Sequence, residues 1–274
     1  MGRFWLTPRM TSTPSSAVVT GGARGIGRGI AERLVARGHQ VVVTDVDGEG
    51  AGRTAAEIGA AAGLAHDVRD AAGHVAAAEE AARHGVLAAW FNNAGVGDDG
   101  TLSELSEEAV RRLVEVNLLG TLWGMRAAIA AFGGAGGDIV NTASLAGLGP
   151  VPGYSVYAAT KAAIVSVSMS GDAETPRRIR VHALCPDGVQ TAMLAAQTPG
   201  GLGSLLVHSG GPILTVDQVA DEAVGLLGSR RVVRAVPGWR GGLVRVSALA
   251  PSVAKSGTKL FAAQGRRAIE RSGR

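Results

Sequence analysis

Apolar runs of strand length alternate with helical patterns over about four-fifths of the chain, and this alternation restricts the possible folds more than any other feature. The strand-like runs are 16–20 (SAVVT), 40–45 (QVVVTD), 64–68 (LAHDV), 86–95 (VLAAWFNNAG), 138–144 (DIVNTAS), 179–186 (IRVHALCP) and 231–238 (RVVRAVPG). Helical patterns fall between them, near 25–37, 50–62, 71–84, 106–132, 154–171 and 215–228. Strands that are apolar on both faces and joined by crossover helices predict an α/β fold, a doubly wound seven-stranded parallel sheet in one domain. Such sheets take ligands beyond the carboxyl ends of their strands, so functional residues are expected where the strands stop.

The composition suits that expectation: aromatics are 4% of the 274 residues, and small aliphatic side chains and glycine dominate. No apolar run reaches the roughly 20 residues of a membrane span, and residues 1–16 lack a signal-peptide core, so a cytoplasmic protein with no membrane partner is expected. Residues 1–16 read as a flexible leader, in which Met10 is an alternative start, and residues 17–250 read as the catalytic domain. The net charge of +4 hides an asymmetry, because residues 239–274 hold eight Lys/Arg against the single acid Glu270. Residues 251–274 are therefore set apart as a basic tail, expected to be a solvated helix or frayed end with no nucleic-acid role.

After the first strand the chain reads T-G-G-A-R-G-I-G, with Gly21, Gly25 and Gly27 opening a helix. Glycines at such a junction permit a tight turn and let a pyrophosphate approach the positive end of the helix. The spacing, with Arg24 and Ile26 inside it, resembles the glycine motif of the short-chain dehydrogenase/reductase family, and it implies a Rossmann fold and a nicotinamide cofactor. Asp45 closes the second strand, where a carboxylate accepts ribose hydroxyls and repels a 2′-phosphate; NAD is expected ahead of NADP, although Arg24 would suit the phosphate. Asp67 and Val68 match the family's acidic strand end near the adenine. Asn93, Ala94 and Gly95 match its N-N-A-G loop, and Pro186, Gly188, Val189 and Thr191 match the stretch bordering the nicotinamide. Asp187 stands where the family has glycine: either Gly188 takes over the turn, or the carboxylate alters the grip on the nicotinamide. His182 replaces a frequent Asn, without catalytic meaning.

Tyr157 and Lys161 stand four apart on a predicted helix, one turn from each other on one face, whereas Tyr154 lies two turns from the lysine. A neighbouring ammonium favours the phenolate, so this pair predicts a tyrosine acidified for proton transfer. Ser144, thirteen residues upstream at a strand end, and Asn117 complete the catalytic tetrad that the family resemblance implies. By that resemblance Tyr157 exchanges a proton with the substrate oxygen and Ser144 steadies that oxygen. Lys161 would hold the nicotinamide ribose and tune Tyr157, and Asn117 would anchor a water of the relay.

Six histidines invite a metal, but His66, His74 and His84 lack the i, i+4 spacing and cysteine partners of a zinc site, and none is expected. Cys185 lies in an apolar strand and carries no chemistry, and His208 reads as a loop residue. Residues 190–214, rich in Gly and Leu, read as a mobile lid. With Leu148, Val151, Pro152 and Val156 around the tyrosine, an apolar secondary alcohol or ketone is the expected substrate. Two alternatives stay open: an epimerase or dehydratase on the same fold, and a nucleotide-sensing protein that uses the basic tail as a contact surface. The Ala-rich helix 154–171 suits a homo-oligomer, a dimer or tetramer.

Overall fold

The computed structural model describes residues 13–249 and 251–272. The leader expected over residues 1–16 lies outside the described residues up to position 12, and its last two residues, Ser15 and Ser16, belong to the sheet.

Seven parallel strands form one sheet in the order β3-β2-β1-β4-β5-β6-β7. They are β1 (Ser15–Thr20), β2 (Gln40–Asp45), β3 (Ala62–Ala65), β4 (Val86–Asn92), β5 (Gly137–Thr142), β6 (Ile179–Pro186) and β7 (Val233–Val236). The strand order reverses between β1 and β4, which opens the crevice expected of a doubly wound sheet. Successive strand residues alternate between two cores. On one face Val19, Val43 and Phe91 pack with α1 (Gly25–Ala36), α2 (Gly48–Ile58) and the later helix Val216–Val224. On the other, Val18, Val42 and Trp90 pack with α3 (Ala71–His84) and the helix Gly120–Phe132. Burial on both faces explains why these strands are apolar throughout.

Strand boundaries differ from the sequence expectation where side chains take over from the ladder. The third strand spans Ala62–Ala65 rather than 64–68: after Ala65 the amide of His66 bonds Asp45 O (2.7 Å), and the chain turns through Asp67. Asp67 and Val68 therefore lie in the loop beyond the strand. The fourth stops at Asn92 rather than at 95, because Thr20 Oγ1 accepts the amides of Asn93 (3.0 Å) and Ala94 (3.1 Å). α2 starts two residues earlier than expected, capped by Asp47 Oδ1 on Gly50 N (2.8 Å), and Gly59 closes it in the left-handed conformation.

The helical region 106–132 is not continuous α-helix. α4 (Glu107–Leu113) passes through a π-helical turn (Val114–Leu119) into α5 (Gly120–Phe132). A 3-10 turn (Leu145–Leu148) precedes α6 (Ser155–Glu174). Two short helices, α7 (Ala192–Ala195) and α8 (Leu202–Val207), lie in the lid segment and are followed by α9 (Val216–Val224). The chain ends in α10 (Gly238–Leu249) and α11 (Pro251–Ser272), and α11 packs on α8: a β-carbon at Gly265 would stand 1.8 Å from Leu205 O. Among the described residues no helix is long and apolar enough to cross a membrane, and no cluster of ligating side chains could hold a metal.

Candidate active site

The glycine loop between β1 and α1 is shaped by backbone contact. Gly21 and Gly25 have φ of +64° and +56°, where a side chain would strain the chain. A β-carbon at Gly27 would lie 2.1 Å from Gly21 O and 2.5 Å from Asn93 Nδ2. Asn93 in turn donates to Thr20 O (3.1 Å) and Gly21 O (3.2 Å), so the loop after β4 grips the loop after β1. The leading turn of α1 holds no acidic side chain, and its N-cap Arg24 is exposed and makes no capping bond, so the first amides of the helix keep their donors. Above Gly25 the nearest group is Thr191 Cγ2, 3.7 Å from a virtual β-carbon. This is a hollow lined by amides at the positive end of a helix, and it fits a pyrophosphate.

Asp45 is fixed at the end of β2: one carboxylate oxygen accepts Ala23 N (3.1 Å) and the other Asp47 N (3.1 Å). Asp67 is taken by a neighbour. Arg69 clamps both of its oxygens (2.6–3.0 Å), which holds the carboxyl below its ordinary range. Beneath it His66 and His74 meet edge to face at 4.3 Å. His66 Nδ1 pairs with Thr44 Oγ1 (3.1 Å), and His74 Nε2 reaches Val68 O (2.9 Å). These histidines are props for the loop carrying Asp67 and Val68. Burial pushes His66 down to about 4, so it stays neutral. An open depression of about 550 Å³ lies beside Asp67, Glu115 and Trp123, apart from the tyrosine.

Asn117 occupies the π-helical turn and is fully buried. Its Oδ1 accepts Val96 N (2.8 Å) and its Nδ2 donates to Val96 O (2.9 Å), so it fixes the strand-end loop after Gly95. A β-carbon at Gly95 would meet Asn117 Oδ1 at 3.2 Å and Lys161 Nζ at 3.5 Å, so glycine is what lets these groups converge. Lys161 is 4% exposed; its Nζ donates to Thr142 O (2.8 Å) and stands 5.7 Å from the centroid of the Tyr157 ring. Ser144 lies beside Tyr157, near enough to ease the ionisation of its phenol, and its hydroxyl accepts Ala146 N (3.1 Å).

The electrostatics correct one expectation. Burial pushes the Tyr157 phenol up, and the group that opposes this is Ser144, not Lys161. Lys161 is itself pushed down to about 8 by burial, and its ammonium is committed to Thr142 O. The protein alone therefore holds a neutral phenol beside a buried cation. Cys185, buried and pushed up to about 12, stays a thiol.

The expectation that Gly188 takes over the turn at Asp187 is not met. Gly188 is not in the left-handed region; it is glycine because Val207 packs against it, 2.2 Å from a virtual β-carbon. The Asp187 carboxylate pairs with Arg240 Nη1 of α10 (2.7 Å), and both side chains are less than one-fifth exposed. Arg240 also donates to Leu206 O (2.7 Å), Val207 O (3.4 Å) and Ser209 Oγ (3.4 Å). One guanidinium thus ties the lid to the end of β6. Leu214 N on Gly188 O (2.9 Å) and Gln190 N on Leu214 O (2.9 Å) stitch the base of the same segment. Residues 202–214 are therefore anchored, whereas among the described residues 192–201 is tied by a side chain through Thr198 N on Asp99 Oδ2 (3.0 Å). His208 bonds Ser204 O within its own turn (2.8 Å), and His182 bridges Asp138 (3.1 Å) and Arg231 O (2.8 Å); neither faces Tyr157.

All four tetrad residues thus meet at the ends of β4 and β5, and the glycine loop, Asp45 and Thr191 line the adjoining crevice. Sequence reasoning missed Thr20 and Thr142 as positioning groups, although each ends a strand. It also missed Arg240, for which no local signal exists.

The family model described as short chain dehydrogenase matches residues 15–200. The chain is 42% identical over 176 residues to sorbitol dehydrogenase from Cereibacter sphaeroides, covering 62% of this chain and 69% of that protein. Its structure is similar to a short chain dehydrogenase/reductase from Burkholderia phymatum in complex with NAD: TM-score 0.77, 29% identity, 88% of this chain and 95% of that one. It is also similar to a variant of actinorhodin polyketide ketoreductase with NADPH: TM-score 0.74, 28% identity, 83% and 97%.

Proposed function

The chain belongs to the short-chain dehydrogenase family, and from that premise we propose that it transfers a hydride between NAD(H) and a secondary alcohol or ketone. The observation that carries the reading is the convergence on one crevice of a buried ammonium, a phenol and a strand-end hydroxyl, at Lys161, Tyr157 and Ser144. When bound, the nicotinamide supplies the hydride chemistry. The glycine loop and Thr191 would hold its phosphates and Asp45 its adenosine ribose. Gly95, Asn117 and Lys161 would border the reactive half, with Pro186, Gly188 and Val189 beyond it.

Tyr157 donates its proton to the carbonyl oxygen in reduction and withdraws the alcohol's proton in oxidation. Ser144 donates a hydrogen bond to that oxygen as charge develops on it. Lys161 keeps a positive charge under the ring, and Asn117 fixes the loop that closes the relay. Because the phenol is high in the protein alone, the ionised state needs a further positive charge in the crevice; the oxidised nicotinamide brings one.

Asp45 supports NAD over NADP, since a carboxylate already ordered by two amides repels a ribose phosphate. Similar structures hold either cofactor, so the preference rests on Asp45. Val151 and Val156 beside Tyr157 support a compact, largely apolar skeleton. We propose that the enzyme works in the cytoplasm as a homo-oligomer joined through helices flanking α6, whose small residues suit close packing.

A panel of secondary alcohols and ketones, read by nicotinamide absorbance with both cofactors, tests the reading. NAD(H) is expected to be favoured at least about tenfold in kcat/KM. Tyr157→Phe is expected to lower kcat about a thousandfold while NADH affinity stays within about twofold. Full activity in that variant ends the mechanism, and NADP(H) preference ends the assignment of Asp45.

A further inference from the structure

Buried polar atoms in a folded chain almost always find a partner, and those that do not need a reason. Among the described residues these atoms are His66 Nε2, His74 Nδ1, Ser155 Oγ, the Tyr154 hydroxyl beneath the lid and Gln197 Oε1 on it. Tyr154 is 7% exposed, its ring centroid 5.6 Å from that of Tyr157 and tilted 57° to it. It cannot swing to water, because the α8 backbone presses on the ring: a β-carbon at Gly203 would stand 2.0 Å from Tyr154 Cε2. Its own backbone is held by Val151 O (3.0 Å), and the neighbouring Gly153 O takes Gly100 N (2.8 Å). The phenol is thus locked beside the catalytic tyrosine with nothing to bond.

Gln197 sits on the loosely tied half of the lid, next to Thr198, whose amide bonds Asp99. Tyr154 feels the same Asp99 charge, which adds to burial in keeping its phenol neutral and hence a donor. A donor and an acceptor without partners, one beneath the lid and one on it, match a hydroxyl group, which accepts from the first and donates to the second. We propose that Tyr154 and Gln197 form a subsite for a second oxygen, so that the substrates are diols or hydroxyketones whose further hydroxyl lies close to the reacting carbon. This rests on the dehydrogenase reading above and narrows it from any apolar alcohol.

The experiment compares a vicinal cyclohexanediol with cyclohexanol as probes, using the whole protein with NAD. The diol is expected to be favoured in kcat/KM by at least about tenfold, because a site built to bond a hydroxyl rejects the analogue lacking it. Tyr154→Phe is expected to cut the diol-to-cyclohexanol ratio about tenfold, and Gln197→Met to cut it less. The thermal midpoint of unligated Tyr154→Phe is expected to be no lower than that of the native chain, since the deleted hydroxyl has no partner. An unchanged ratio, or equal loss on both alcohols, overturns the subsite. Calorimetric titration of the NADH-saturated protein with the two probes separates the two readings. Diol binding that weakens in Tyr154→Phe, with no hydride transfer to either probe, ends the dehydrogenase reading and leaves the subsite standing. Turnover of both probes with no selectivity does the reverse.

Discussion

The crevice at the ends of β1, β2 and β4 and the lid from Gln190 to Leu214 meet at Thr191, yet different forces hold them. The crevice is set by backbone against backbone: Gly27 on Gly21 O, Gly21 on Ala94, and Asn93 bonded to the carbonyls of residues 20 and 21. The lid is set by a few polar side chains reaching from far away in sequence, chiefly Arg240 on Asp187 and on three oxygens of residues 206–209. The first kind of contact tolerates no added atom. The second tolerates added atoms but not a lost charge.

The contrast breaks most severely at Gly27. Its replacement by Ala puts a methyl group 2.1 Å from Gly21 O, and neither neighbour can yield because Asn93 is bonded on both sides. The expected loss is about 3 kcal/mol in urea unfolding, together with a fall in NADH affinity of at least about tenfold. Gly242 in α10 is the control: no atom of the described residues lies within 4 Å of its β-carbon position and its φ is not positive, so Gly242→Ala is expected to stabilise by about 0.5–1 kcal/mol. Equal behaviour of the two variants would remove the distinction between the regions.

The same distinction explains what the sequence discloses. Continuous apolar runs and crossover helices predict the sheet, and glycine spacing predicts the cradle, because both are local patterns with a steric cause. Tyr157, Lys161 and Ser144 are legible for a similar reason: helix periodicity and a strand end place them. The ends of β3 and β4 are misplaced because the Asp67 carboxylate takes the amide of Arg69 and Thr20 Oγ1 takes those of Asn93 and Ala94, side-chain bonds that turn the chain out of the ladders. Arg240 is 53 residues from Asp187, and nothing near either residue announces the pairing. Tyr157's upward shift was missed as well, since helix spacing gives the distance to Lys161 but not the dehydration of both groups.

Arg240→Met sharpens the lid side of the comparison. It leaves Asp187 mostly buried without its cation and takes the donors from Leu206 O, Val207 O and Ser209 Oγ. Both groups keep some contact with water, so the expected destabilisation is about 2 kcal/mol, below that of a sealed pair. The KM for alcohol is expected to rise severalfold while NADH affinity holds, because no crevice contact is touched. Adding Asp187→Leu to Arg240→Met is expected to recover most of the stability, as replacing a whole pair by apolar groups often does. A Tm for the double variant below that of the single one would show that the clasp is not the pair described.

The smallest effect concerns the charge that the crevice holds at its floor. Lys161 has its pKa lowered by burial from 10.5 to about 8, so at pH 7 the folded protein carries an ammonium that the unfolded chain would hold more easily in water. A folded pKa below the unfolded one means that the deprotonated form favours folding: this contribution is full above pH 10.5 and is lost as pH falls through about 8. Its size is about 3 kcal/mol at 1.36 kcal/mol per unit, offset in part by the bond to Thr142 O, worth about 1–2 kcal/mol to a charged donor. Lys161→Met, though inactive, is therefore expected to be more stable than the native chain by about 1–2 kcal/mol at pH 7. The gain should shrink as pH rises from about 8, where the native lysine loses its proton, towards 10.5. Urea unfolding at pH 7 and at pH 9.5 measures it. A variant less stable at both values would mean that Lys161 strengthens the fold, and that the crevice, like the lid, is held by a side-chain charge.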